Sequence, residues 1–287
     1  MTKTGRAQIR LMIASNAGGS GKTTTAVHLA YGLGKAGYRV TLIELDHNGS
    51  LSTFTGLPPS PDAEETLLKV WKSDFKGEYP LQAIWPDYVE AVNAIQGGKP
   101  LQTMIREIPS RGRGFYILQD RLLDDYPLDS DVIIFDTPAT LEPIGVMALV
   151  ASTHVLCPIK PEQKDAEMLF GLLEWYYSTI SEFKLRPKPE IIGFVPTRVD
   201  PKKATHRKIL GIDEKGVALE GVDVSDTLPA LIQEAGIHCF PIVRDSNYYL
   251  TATSARLPLP LFRPNAPGAQ DYDPIVEAVI NLIEGKF

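Results

Sequence analysis

The run Asn16-Ala17-Gly18-Gly19-Ser20-Gly21-Lys22-Thr23-Thr24 sets three glycines, a lysine and two threonines between an apolar stretch and a helical pattern. A loop that leaves a strand and opens a helix aims several backbone N–H groups at one anion, and the helix dipole adds to them. Glycine lets such a loop curl around phosphate oxygens where a Cβ would clash. Lys22 is expected to reach the β- and γ-phosphates of a nucleoside triphosphate, Thr23 to ligate Mg²⁺ and Thr24 to reach the α-phosphate. The usual pattern has glycine five residues before Gly21; Asn16 stands there instead.

Two carboxylates complete the constellation. Asp136 ends the apolar run from Asp131 to Phe135, at the strand edge where ligands bind in open α/β sheets. Its expected role is to hold the magnesium, through water. Asp46 follows a second apolar run, two residues beyond Glu44 and therefore on the same face. A carboxylate there orients or deprotonates the water that attacks the γ-phosphate.

These residues need a sheet to position them. Short β-branched runs recur at Gln8 to Ala14, Tyr38 to Leu45, Phe115 to Leu118, Asp131 to Phe135, His154 to Ile159, Glu190 to Val195 and Ile237 to Val243. Such runs read as strands buried on both faces, and helices alternate with most of them. The expected fold is α/β: a mostly parallel twisted sheet flanked by helices, built as one domain over residues 1–287. The first helix is expected from Gly21 to Lys35, with Gly37 ending it. Residues 60–115, with many turn signals and two tryptophans, read as helices and loops covering one sheet edge.

Composition narrows the class. A net charge of −6 argues against a constitutively tight polyanion binder but permits a local basic patch. The two cysteines, Cys157 and Cys239, fit neither a disulfide framework nor a metal knuckle, as expected for a cytoplasmic protein. The apolar run Ile9 to Ser15 is too short for a signal peptide or a membrane span. The tail from Asp273 has apolar residues at helical spacing, but only Lys286 against Glu277 and Glu284. It reads as a helix docked on the core, not on a membrane.

On these motifs the chain resembles the ParA/MinD family of P-loop ATPases with a deviant Walker A loop. Gly18 to Thr24 matches the family's loop, Glu44-Leu45-Asp46-His47-Asn48-Gly49-Ser50 its second motif and Asp136-Thr137-Pro138 its third. Pro241-Ile242-Val243-Arg244 and Gly268-Ala269-Gln270-Asp271-Tyr272 resemble segments of partition ATPases. The resemblance implies ATP and Mg²⁺ as cofactors, Lys22 and Asp46 as catalytic residues, and Thr23 with Asp136 at the metal. It extends the nucleotide contacts through Gly18, Gly19, Ser20, Gly21, Lys22, Thr23, Thr24 and Pro241. It further implies a homodimer closing on two ATP molecules with Gly18 at the seam, and a ParB-like or McdB-like adaptor that stimulates hydrolysis. The expected location is the cytoplasm, on the nucleoid when ATP is bound.

One position departs from the family. Its signature loop lysine is Ala17 here, so another cation should replace it. Carboxysome-positioning McdA proteins resemble this case, and Lys160, following the run His154 to Ile159, is the first candidate, with Lys164 second. For DNA, the basic run Lys202, Lys203 and Arg207, with Arg244, suggests non-specific, salt-dependent backbone contact. The same loop also serves amidating ligases and iron–sulfur reductases, and these remain the alternative class.

Overall fold

The computed structural model describes residues 7–59, 61–141, 143–219 and 225–286, with backbone alone for 163 and 165–167. Its strands are β1 (Ile9–Ile13), β2 (Val40–Glu44), β3 (Gln82–Ala83), β4 (Val92–Ile95), β5 (Val132–Asp136), β6 (His154–Ile159) and β7 (Glu190–Pro196). They form one sheet in the order β3-β4-β2-β5-β1-β6-β7. Every pairing is parallel except the antiparallel β3–β4 edge.

The strands are apolar throughout because both faces are covered. Met12, Ile43, Ile133, Phe135 and Cys157 face one core, under helices Ile144–Ala151 and Gln163–Phe183. Leu11, Ile13, Leu42, Ile134 and Leu156 face the other, under helix Lys22–Lys35 and the C-terminal helix Asp273–Glu284. That last helix docks as expected: Ile275, Val279 and Ile283 are buried, each worth about 1.5–3 kcal/mol of transfer free energy. Its close approach depends on Gly32, where a Cβ would lie 2.6 Å from Val276 Cγ2.

Three expectations need correction. Phe115 to Leu118 is not a strand: it lies in a 3₁₀ turn, Gly114–Tyr116, running into helix Ile117–Gln119. A short apolar run carries no decisive period, and here Leu118 packs into the first core as part of a helical cover. Residues 60–115 do more than cover an edge, because they supply β4 and β3, the edge itself. Ile237 to Val243 is extended beside β7 but makes only isolated bridges, Phe194 with Cys239 and Val199 with Arg244. A register shift where β7 pairs with β6, next to Gly193, interrupts the ladder: a Cβ on Gly193 would meet Phe240 at 2.6 Å.

Candidate nucleotide site

Parallel registry brings the chemistry to one edge. Asp136 is level with Ile13 of β1 and with Glu44 of β2. The chain after β1 therefore emerges beside β5 and one strand away from β2, at the same edge as both carboxylates. It enters the loop with Ala14 N–H donating to Leu156 O at 2.9 Å, then turns through Gly19 (φ 69°) and Gly21 (φ 84°). Both angles lie in the left-handed region open to glycine at little cost. Helix Lys22–Lys35 starts directly after, so the N–H groups of its first turn lack intrahelical acceptors. Thr197 closes the loop from behind, its hydroxyl donating to Ser20 O at 2.7 Å.

The cleft above this loop has a volume of about 520 Å³ and is lined by Gly18 through Thr24, Asp46, Thr137, Arg198 and the segment Val243 to Ser246. Lys22 is buried, and its ammonium donates to Ala17 O at 3.2 Å. Burial pulls its pKa down, while Asp136 and Asp46 pull it back up. Asp136 is fully buried, and among the described residues neither carboxylate oxygen has a hydrogen-bond partner of ordinary geometry. Burial pushes its pKa up to about 7, against the lowering effect of the adjacent Thr23 hydroxyl. The Ser20 hydroxyl is likewise buried and unpartnered. An unmatched carboxylate beneath a lysine and a threonine is the environment a hydrated cation and a phosphate would satisfy. Thr23 and Asp136 thus fit a magnesium ion carried in with a nucleotide.

Asp46 lies beyond the end of β2, in a turn where its Oδ1 accepts from Asn48 N at 2.9 Å and Asn48 Nδ2 at 2.8 Å. Glu44 turns the other way. It is fully buried and accepts from Leu51 N at 2.7 Å and Gly97 N at 3.0 Å. Glu44 is therefore a structural clasp, and burial raises its pKa to about 7. Gly97 and Gly98, just after β4, are the residues that sequence reasoning missed. Gly98 N–H donates to Asp46 O at 3.2 Å, and a Cβ on Gly97 would lie 2.5 Å from Glu44 O. The run Val92-Asn93-Ala94-Ile95 followed by paired glycines was the available signal.

Of the remaining expected residues, Lys160 reaches the loop: a Cβ built on Gly19 would sit 3.6 Å from its Nζ. Arg198 reaches the same point, its Nη1 lying 3.7 Å from that Cβ, and sequence reasoning did not find it. Lys164 is exposed in the first turn of helix Gln163–Phe183 and does not line the cleft. Ala17 is buried at 4%, against a small gap lined by Leu169, Leu172 and Phe194. Asn16, where glycine is usual, donates its amide to Met168 O at 2.9 Å and ties the loop entrance to that helix. Pro241 is exposed and outside the cleft lining, which begins at Val243 because Ile237 to Pro241 still runs alongside β7.

The basic residues divide. Arg244 is a wall of the cleft: its backbone and guanidinium satisfy Asp271, at 2.9 Å through N, 3.1 Å through Nε and 2.8 Å through Nη2. Arg207 folds back to donate to Pro201 O and Lys202 O, both at 2.9 Å. Lys202 and Lys203 are exposed at the start of helix Ala204–Leu210 and make no ion pair among the described residues. The two cysteines lie on either side of Phe194 across the sheet, Cys157 buried and Cys239 half-buried, and both thiols are pushed up in pKa by burial. No helix among the described residues is long and apolar enough to cross a membrane.

Known proteins share this arrangement. The AAA domain family profile matches residues 9–191. The chromosome-partitioning ATPase Soj of Thermus thermophilus is 30% identical over 202 residues, covering 68% of this chain and 72% of that protein. A candidate replication protein A of Sinorhizobium fredii is 29% identical over 209 residues, 63% of this chain; the chain spans about half of that relative's length, 51%. An ATP complex of McdA from Cyanothece shares the fold at a TM-score of 0.76 and 24% identity, covering 96% of this chain and 97% of that one. With its phosphate loop, its strand-end aspartate and these relatives, the chain belongs to the ParA/MinD-like P-loop ATPases.

Proposed function

We propose that the chain binds and hydrolyses ATP with Mg²⁺ and uses that cycle to partition or position a cargo. The observation that carries the reading is the buried, unpartnered Asp136 carboxylate beneath the phosphate loop, beside Lys22 and Thr23. Gly18 to Thr24 cradle the phosphates, and Thr23 and Asp136 hold the metal. The magnesium supplies charge neutralisation at the phosphates. Lys22 leaves the Ala17 carbonyl for the phosphates, and Asp46, at the open side of the cleft, orients the attacking water.

The Soj likeness supports a partition cycle: ATP closes two copies face to face, and the dimer holds DNA without reading sequence. Two copies present Lys202 and Lys203 twice, so avidity would make DNA binding depend on ATP. Lys160, poised at Gly19, takes the place of the loop lysine absent at Ala17. A ParB-like or McdB-like adaptor then stimulates hydrolysis and release from the nucleoid. The iron–sulfur alternative finds no support in cysteines buried on either side of Phe194.

The test is mass in solution. Asp46→Ala with ATP should form a dimer that retards arbitrary duplex DNA, while the nucleotide-free protein stays monomeric and barely binds. A monomer under both conditions would overturn the partition cycle. A dimer that survives Lys160→Ala would remove Lys160 from it.

A further inference from the structure

We propose that Arg198 is a phosphate-binding cation of this loop in addition to Lys22 and Lys160, holding the polyphosphate of the bound nucleotide. The proposal rests on the nucleotide reading above and adds a residue that the motifs do not contain.

Position comes first. Thr197 ties the sheet to the loop: its N–H donates to Ile159 O of β6 at 2.8 Å and its hydroxyl to Ser20 O at 2.7 Å. The next residue therefore cannot drift from the loop. Arg198 lines the cleft and places Nη1 3.5 Å from Gly19 O. Lys160 Nζ comes equally near Gly19, 3.6 Å from a Cβ built there against 3.7 Å for Arg198 Nη1, but of the two only Arg198 lines the cleft.

Strain is the second observation. Arg198 holds φ at 53°, a left-handed conformation that disfavours side chains. Trp85, Arg113, Lys184 and Arg256 share that conformation, but among these five only Arg198 lines the cleft. Strain kept at a ligand-facing position marks a side chain held for use.

The third is an unspent charge. The guanidinium contacts are long: 3.5 Å to the Gly19 carbonyl and 3.9 Å to Asp245 Oδ1. Its side chain is 54% exposed at the cleft mouth. A planar fork with spare donors suits two phosphate oxygens at once, and such charge-assisted contacts are the strong ones. Asp245, also lining the cleft, is the partner from which a polyanion would draw it.

The experiment is calorimetric titration of ATP, ADP and AMP, each with Mg²⁺, into wild type, Arg198→Gln and Arg198→Gly, with melting temperatures of the nucleotide-free proteins. Both variants should lose about tenfold in ATP affinity, less in ADP affinity and nothing in AMP affinity. Arg198→Gly should melt at or above the wild-type temperature, because glycine adopts the left-handed conformation without strain. Wild-type affinities in both variants would overturn the proposal. Equal losses for all three nucleotides would also overturn it, by assigning Arg198 to the base or to folding. A wild type that binds none of the three would overturn the nucleotide reading itself, and this proposal with it.

Discussion

On the β5 side of the cleft buried polar groups lack partners; on the side built from residues 243–272 the polar groups are paired. Among the described residues Asp136 and Ser20 have no hydrogen-bond partner of ordinary geometry, and Lys22 rests on a loop carbonyl. Opposite them, Arg244 satisfies Asp271, and Tyr249 donates to Gly268 O at 2.8 Å. His28 behind that wall is satisfied on both nitrogens, by Thr24 O at 2.7 Å and Leu259 N–H at 3.0 Å. It also stacks on Tyr272 with ring centroids 4.8 Å apart. Unsatisfied groups cost stability until a ligand meets them, whereas satisfied ones hold a wall in place. The first side is where binding free energy waits, and the second is scaffold.

Substitutions should separate the two. Lys22→Ala should cut ATP affinity by roughly 10–150-fold, the worth of a charged hydrogen bond, while leaving the melting temperature unchanged or higher. Calorimetry and a thermal melt together check this; equal ATP affinity would move the site elsewhere. The paired side should respond in stability. Burial lowers the His28 pKa to about 4 from an ordinary 6.5, so the unfolded chain binds more protons between those values. Stability from His28 is therefore full above about pH 6.5 and is lost as pH falls toward 4, by about 3 kcal/mol in all. Urea unfolding across that range should show the slope, and His28→Gln should flatten it.

Arg244→Ala should cost about 1–2 kcal/mol of stability, since it takes the guanidinium from an Asp271 carboxylate 3% exposed and leaves it only the backbone N–H of position 244. Its effect on ATP affinity should be smaller than that of Lys22→Ala, and the reverse order would erase the contrast between the walls. The least effect on either quantity belongs to Lys202→Ala with Lys203→Ala, outside the cleft. That pair should leave stability and ATP binding intact and lower the salt slope of DNA retardation by the ATP-bound dimer by about four, two lysines being lost from each copy.

The same contrast explains what could be read in the sequence. The phosphate side is one contiguous loop plus two strand-end aspartates, so local spacing alone announces it. Val132–Asp136 and His154–Ile159 were legible because continuous apolar runs of that length belong to strands covered on both faces. The rest of the cleft is assembled from Thr197, Arg198, Val243 to Ser246 and Tyr272, which only the fold brings together. Arg198 carries no motif, and its importance lies in a backbone angle and a neighbour 179 positions away. Val92–Ile95 was missed because four residues among turn signals show no period, although its following glycines hold the Asp46 turn. Phe115 to Leu118 shows the opposite error, an apolar run whose partners, such as Phe183 with Phe115, lie on helices.

The central claim is that the orphaned Asp136 carboxylate exists for a cation delivered with a nucleotide. Calorimetric titration of ATP with and without Mg²⁺ into wild type and Asp136→Asn tests it most directly. Wild type should bind ATP at least tenfold more tightly with Mg²⁺ than without it, and Asp136→Asn should lose most of that difference while remaining folded. An Asp136→Asn protein that keeps the full magnesium dependence, or a wild type that shows none, would contradict the account.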